Sequence, residues 1–200
     1  MTTAAVVLAA GFSTRFLVES GQPKLVMPYG STTVIGSVMA AAAESKVDRV
    51  VVVTGDHREA VVSALPPGIE TAHNDHPDRG NLSSLLVGIE AAGDVEAVVV
   101  LVGDMPDVDS GVIDQLLDRW ADTDAMVCVP MYTNGSGHPI LLDSSQFEAI
   151  RSLSGQKPLW SFIDSLGDDL VGRIAVDSPI PLDLNTNEDY LKALDALDQD

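Results

Sequence analysis

Two hundred residues with 46% hydrophobic content are enough for one sizeable core, and a single domain over 1–200 is the expectation. Eleven Lys and Arg stand against 30 Asp and Glu, a formal net charge of -19, which argues against nucleic acid and anionic membrane as partners. No apolar run reaches the ~18 residues of a spanning helix, and no basic segment precedes the first apolar run as in a signal peptide, so the expectation is a cytoplasmic protein.

In chain order, residues 4–10 (AAVVLAA) open as a short apolar run that stops at Gly11. Residues 48–55 (DRVVVVTG) and 96–104 (EAVVVLVGD) are further apolar, mostly β-branched runs. They read as strands buried on both faces, as in a parallel sheet. Helical stretches lie between them. Residues 32–45 are Ala-rich, 57–65 end at Pro66-Pro67-Gly68, 81–93 start at Asn81 and stop at Gly93, and 109–123 start at an Asp. This β-α-β alternation predicts an α/β layered domain with right-handed crossovers. Beyond residue 125 the pattern loosens. Two strand-like runs, 125–132 and 137–143, flank the turn TNGSG. Short helices follow near 144–152 and 157–166, then a strand at 170–176, then a loop and helix over 183–197 with Thr186 or Asn187 as cap. Cys128, the only cysteine, lies in an apolar run and reads as an inert buried thiol.

Four stretches can carry chemistry. The first runs from Gly11 to Lys24, with Ser13, Thr14 and Arg15 between. It matches neither a Walker loop nor G-x-G-x-x-G, so neither a P-loop ATPase nor a Rossmann dehydrogenase is supported. A glycine-started loop with two cations at a strand end can cradle phosphates; a solvated loop whose cations pair with neighbouring acids is the alternative. The second is Gly103-Asp104-Met105-Pro106, at the end of the strongest strand run. Asp104 is placed there either for Mg²⁺ or to cap the turn into the next helix. In the third, Asp183 and Asn185 share one face of an extended segment, although a helix cap explains much of the same pattern. In the fourth, Asn81, Ser83 and Ser84 begin a helix, where they contact a base edge or simply cap the helix. The histidines are weak signals. His73 and His76 read as loop residues, His57 has no partner nearby in sequence, and His138 is read as a turn histidine in preference to a pocket residue.

The order LAAGFSTRF, PKL, RGNLSSLLVG, GDMP, GHPILL and DLNTNEDY along the chain resembles the MobA-like nucleotidyltransferases, most of all the molybdenum cofactor cytidylyltransferase branch. The resemblance covers nearly the whole chain. It implies a three-layer Rossmann-like α/β fold whose sheet is mixed but mostly parallel, with the nucleotide at the strand carboxyl ends. It implies Mg²⁺-dependent transfer of CMP from CTP to a molybdopterin-type acceptor carrying molybdenum, with release of pyrophosphate, and a passing contact with a molybdoenzyme. Carried over by position, Gly11, Ser13, Arg15 and Lys24 form the triphosphate site, and Leu8, Ala9 and Ala10 join the nucleotide-binding positions. Asp104 is the principal Mg²⁺ ligand with Asp183 or Asn185 as helpers. Arg15, Lys24 and Asp104 are the catalytic set, and Asn81, Ser83 and Ser84 contact the base. Leu82 and Leu85 are expected to narrow the base pocket toward a pyrimidine.

Three departures accompany the resemblance. FLVESGQP intervenes between Arg15 and Lys24, lengthening a gap that is short in the family. Ser136 precedes Gly137-His138-Pro139 where the family often has Arg. SGQKPLW, with Lys157, stands where a glycine-rich acceptor loop is expected. Other acceptors (a sugar or alcohol phosphate), GMP transfer to molybdopterin, and a nucleotide-binding module without turnover stay open on the sequence.

Overall fold

The computed structural model describes residues 1–154 and 158–197, without the side chains of Val18 and Glu19. Gly155, Gln156 and Lys157, part of the expected acceptor loop, lie outside the described residues. The first half contains β1 (Thr3–Ala9), α1 (Thr14–Ser20), β2 (Pro28–Tyr29), β3 (Thr32–Thr33), α2 (Val34–Glu44), β4 (Arg49–Thr54), α3 (Arg58–Ser63), β5 (Glu70–His73), α4 (Asn81–Ala92) and β6 (Ala97–Val102). The second half contains α5 (Ser110–Ala121), β7 (Val127–Tyr132), β8 (Gly135–Ser136), β9 (Ile140–Asp143), α6 (Phe147–Arg151), α7 (Pro158–Ser165), β10 (Val171–Ala175) and α8 (Asn187–Leu197).

Seven strands form one sheet in the order β10-β7-β9-β6-β1-β4-β5, and β8 folds back on β7. β1 pairs in parallel with both β4 and β6. β9 runs antiparallel to β6 and β7. The sheet is therefore mixed and mostly parallel, as expected. The chain leaves β1 toward β4 on one side and returns to β6 on the other, which makes the carboxyl end of β1 a topological switch point.

Side-chain alternation builds the layers. Ala4 and Val6 of β1, with Val98 and Val100 of β6, pack beneath Leu85 and Ile89 of α4 and Phe147 and Ile150 of α6. Ala5 and Val7, with Val99 and Leu101, face Ile35 and Val38 of α2 and Ile113 and Leu116 of α5. β-branched residues suit strands covered on both faces. Gly88 lets α4 approach closely: a Cβ there would lie 2.2 Å from Val6 Cγ1.

The segment between Arg15 and Lys24 is not a long loop. Thr14–Ser20 is a helix, closed by Gly21 in the left-handed region at φ 75°, whose N–H donates to the Leu17 carbonyl. Phe16 anchors it, fully buried and edge-to-face with Tyr190 of α8 at 5.8 Å. β5 was not foreseen as a strand; its half-exposed ETAH pattern lacks the apolar density of the other runs, and it pairs only as an edge beside β4. Cys128 is fully buried and its thiol is pushed up to about 12 by that burial, which fits the inert reading. Among the described residues no helix is long and apolar enough to cross a membrane.

Candidate active site

Parallel register sets Leu8 beside Val102, and Gly103 N–H donates to Leu8 O at 2.9 Å. The turns that follow β1 and β6 thus leave the sheet side by side. Gly103 is required at this crossing, because a Cβ there would meet Ile35 Cδ1 at 2.9 Å and Leu8 O at 3.1 Å. A cleft of about 400 Å³ opens at this edge. Its lining includes Leu8 of β1, Ala10, Gly11 and Ser13 of the first turn, Thr14 and Arg15 at the start of α1, and Asp104 and Met105 of the second turn. Lys24, Asn81, Ser84, His138, Asp183 and Asn185 complete most of the rest.

On the cleft floor, Lys24 forms an ion pair with Asp104. Lys24 is not exposed, contrary to what a loop setting implied; its side chain is 11% accessible. It opens a short turn of helix, Lys24–Val26, whose next residue Leu25 is core. Asp104 engages Lys24 and not the backbone of the next turn, so its alternative reading as a turn cap does not hold. The cap of α5 is Asp109, which accepts from Gly111 N–H at 2.6 Å.

The third stretch comes to the same place. Leu184 is fully buried and its N–H donates to Asp104 O at 3.0 Å, which brings its neighbours Asp183 and Asn185 to the cleft. Asn185 Nδ2 donates to Asp183 Oδ2 at 2.7 Å. Burial, and then the Asp104 charge, push the Asp183 carboxyl above the ordinary carboxylate range. The helix cap is a separate feature that begins at Thr186. Thr186 Oγ1 accepts from Asp189 N–H, and Asp189 Oδ2 accepts from Thr186 N–H at 2.8 Å, a reciprocal arrangement of the capping-box kind.

Among the described residues no group of three or more His, Cys, Asp or Glu could hold a metal alone. Asp104, Asp183 and the Asn185 carboxamide nevertheless fit a hard divalent cation. They present oxygen donors, one carboxyl already disfavoured as an anion by burial and by its like-charged neighbour, and leave other positions to water or phosphate.

Asn81 is not the cap of α4. It is the first helical residue; Gly80 precedes it and makes no side-chain cap, and Asn81 lines the cleft. Ser84 also lines it, buried, with its Oγ accepting from Asn74 Nδ2 at 3.0 Å. Among the described residues no acceptor meets the Ser84 hydroxyl hydrogen. Ser83 does not line the cleft: its hydroxyl donates to His76 O or Gly80 O and accepts from Asn74. Ala9 turns into the core on the α2 side. Leu82 and Leu85 line a neighbouring hollow and not this cleft.

That hollow, about 370 Å³, adjoins the cleft through four shared residues, Leu8, Asn81, His138 and Asp183. Val100, Pro158, Leu159 and Trp160 make it mainly apolar. His138 stands at the seam, edge-to-face with Trp160 at 6.1 Å. Burial lowers its pKa. It is a pocket residue, against the turn reading. What brings it there is β9: a reversed strand starts at the ligand edge, and the pairing of Val100 with Ile140 carries the preceding Gly137-His138-Pro139 to it, a placement with no local signal in the sequence. Trp160 and Gly55, which packs against Ala10, were also missed.

An α/β sheet that gathers cations and carboxylates at the carboxyl edge of its parallel strands is the build of a nucleotide-handling enzyme. The comparisons narrow the class. The chain belongs to the MobA-like NTP transferase family, whose model matches residues 5–170. The Rv0371c protein of Mycobacterium tuberculosis H37Rv is similar over 98% of both chains, with a TM-score of 0.86 and 30% identity. A structure of Rv0371c in complex with manganese, at 29% identity and a TM-score of 0.83, covers 98% of this chain and 100% of its own. The bifunctional protein GlmU of Rhizorhabdus wittichii is 35% identical over 128 residues, 63% of this chain and 28% of that protein. The chain thus matches only about a quarter of the length of this curated relative.

Proposed function

We propose that the protein transfers CMP from CTP to the phosphate of a molybdopterin-type acceptor carrying molybdenum, releasing pyrophosphate. The observation that carries nucleotidyl transfer is the convergence of Lys24, Asp104 and Asp183 at the floor of a cleft walled by the Gly11–Arg15 turn. Such a transfer needs alignment and charge neutralisation more than covalent help. An acceptor phosphate oxygen attacks the α-phosphorus, the bond to the β-phosphate oxygen breaks, and pyrophosphate leaves. In this reading Arg15 makes a forked contact and Lys24 a point contact with the triphosphate, beside Gly11 and Ser13. Asp104, aided by Asp183 and Asn185, holds a divalent cation, taken as Mg²⁺; the manganese complex of Rv0371c supports the divalent class. When bound, the cation supplies Lewis-acid stabilisation to the α-phosphate and the leaving group.

The base reading rests on donors. Ser84 Oγ already accepts from Asn74, so its hydrogen is free to donate, and the first N–H groups of α4 are donors too. Cytosine offers two acceptors on its edge, O2 and N3, whereas guanine offers O6 beside two donors. The apolar hollow beside the cleft gives a bulky acceptor a dry seat. A second reading, a different phosphate-bearing acceptor such as a sugar phosphate, takes support from two facts. Ser136 stands before Gly137 in place of an Arg, and no cation lines the hollow among the described residues.

Incubation with the four ribonucleoside triphosphates, Mg²⁺ and a panel of acceptors, followed by mass analysis, tests both readings. The expected product is the cytosine dinucleotide, with CTP preferred over GTP by at least ~10-fold in kcat/KM, the size of one mismatched polar contact. Guanine product in excess would overturn the cytidylyl assignment. A sugar nucleotide made in place of the dinucleotide would overturn the acceptor.

A further inference from the structure

We propose that His57 is a positioning residue for the nucleotide loop, acting from behind it through the Phe12 carbonyl; this rests on the reading of the cleft as a triphosphate site. β4 lies beside β1, with Thr54 paired to Ala9. The turn after β4 is therefore carried against the turn after β1. Gly55 makes the first contact, so close that a Cβ there would lie 2.5 Å from Ala10 O. Two residues on, His57 Nε2 lies 2.8 Å from Phe12 O. A carbonyl oxygen only accepts, so Nε2 carries the hydrogen and donates.

The position of His57 makes this contact specific. It stands at the cap of α3, where Ser, Asp and Asn are the usual residues, yet it makes no cap bond to its own helix. Its ring reaches instead across 45 residues of sequence to the loop. Among the described residues this is the one side-chain hydrogen bond made to the backbone of residues 10–13.

The loop needs such a restraint. Ala10, Gly11, Phe12 and Ser13 all line the cleft. A Cβ on Gly11 would find nothing within 4 Å, so no neighbouring group packs on the loop at that position. Ser13 follows in the left-handed region at φ 52°, the one non-glycine residue with positive φ among the described residues, a conformation that persists only where neighbours hold it. The carbonyl held by His57 lies between these two residues. A loop fixed before the ligand arrives loses less freedom on binding. His57 does not line the cleft, so its contribution is to preorganisation and not to contact.

The test compares His57→Phe, which keeps a ring without a donor, with His57→Gln, which keeps a donor. Binding of CTP and of GTP with Mg²⁺ is titrated in the absence of acceptor, and thermal midpoints are recorded alongside. The expected result is a triphosphate Kd raised about tenfold in His57→Phe, the worth of one hydrogen bond, and largely restored in His57→Gln. Amide exchange over residues 10–13 of the ligand-free protein should quicken in His57→Phe alone, and the acceptor KM at saturating triphosphate should not move. Unchanged affinity in His57→Phe, or an equal loss in both variants that follows the thermal midpoint, overturns the positioning role while leaving the cleft reading intact. A wild-type protein that binds neither triphosphate overturns the cleft reading and this role with it.

Discussion

Lys24 and Arg15 are both cations of the same cleft, but their surroundings differ. Lys24 is buried on Asp104. Arg15 is exposed and makes no ion pair among the described residues. Lys24→Ala and Arg15→Ala are each expected to lower transfer by on the order of 10²-fold, the scale of one preorganised charge contact. Only Lys24→Ala should also unfold more easily, by roughly 1–3 kcal/mol, because it leaves a carboxylate pair without its counter-charge. Steady-state kinetics with thermal melts separates the two, and a melt of Arg15→Ala shifted as far as that of Lys24→Ala would contradict the difference in burial. Asp183 makes a pH-dependent prediction. Its raised carboxyl binds its proton more tightly folded than unfolded, so stability falls as pH rises from the ordinary carboxylate value, about 4, through the raised one. Asp183→Asn removes that liability. It is expected to melt higher at neutral pH in metal-free buffer, to have a flatter profile across that window, and to lose the stabilisation that Mg²⁺ or Mn²⁺ gives the wild type. A melt at neutral pH no higher than wild type would refute the cost of burying the Asp183 charge beside Asp104.

At the scale of elements, α1 carries the cleft residues Thr14 and Arg15 on a helix that Phe16 pins to Tyr190 of α8. Phe16→Ala is expected to cost about 3–5 kcal/mol of stability and to weaken triphosphate binding as well, because the helix loses its anchor. Calorimetry with nucleotide titration reads both effects, and full affinity in a destabilised variant would show that α1 holds its place without Phe16. α4 is held differently. With 2.2 Å between a Gly88 Cβ and Val6, Gly88→Val forces the helix off the sheet and is expected to cost about 1–3 kcal/mol by overpacking, read in a denaturant titration. The strands β1, β4 and β6 and the helices α2, α4 and α5 were legible in sequence because each carries its own periodicity. Helix α1 was not, because its seven residues, Thr14–Ser20, hold their apolar members in one run, Phe16-Leu17-Val18, instead of a repeating face, and its one decisive contact, Phe16 with Tyr190, is distant in sequence. β5 was not because an edge strand needs little burial.

For the whole molecule, a formal charge of -19 sets the surroundings of the cleft. Self-repulsion of this size is screened by salt. Raising NaCl from low to moderate concentration is therefore expected to raise the thermal midpoint by a few degrees while weakening triphosphate binding, since the clamp is itself electrostatic; melts and nucleotide titrations over the same salt series check the two opposite slopes.

The sequence by itself determined that this chain would form a mostly parallel α/β sheet and that Gly11, Arg15 and Asp104 would stand at or after strand ends, because β-branched runs, breakers and turn residues act within short windows. Tertiary structure alone decided which of them meet. Lys24 and Asp104 are 80 residues apart and come together only because β1 and β6 are neighbours. His138 reaches the cleft only because β9 runs backwards, and the acidic turn at Asp183 only because Leu184 is buried and bonded to Asp104. Ser83 and Ser84, adjacent and chemically alike, part company for the same reason: helical geometry turns one hydroxyl toward the His76 and Gly80 carbonyls and leaves the other on the cleft. Strand order, strand direction and helix rotation are properties of the assembled core, and no local pattern of residues encodes them.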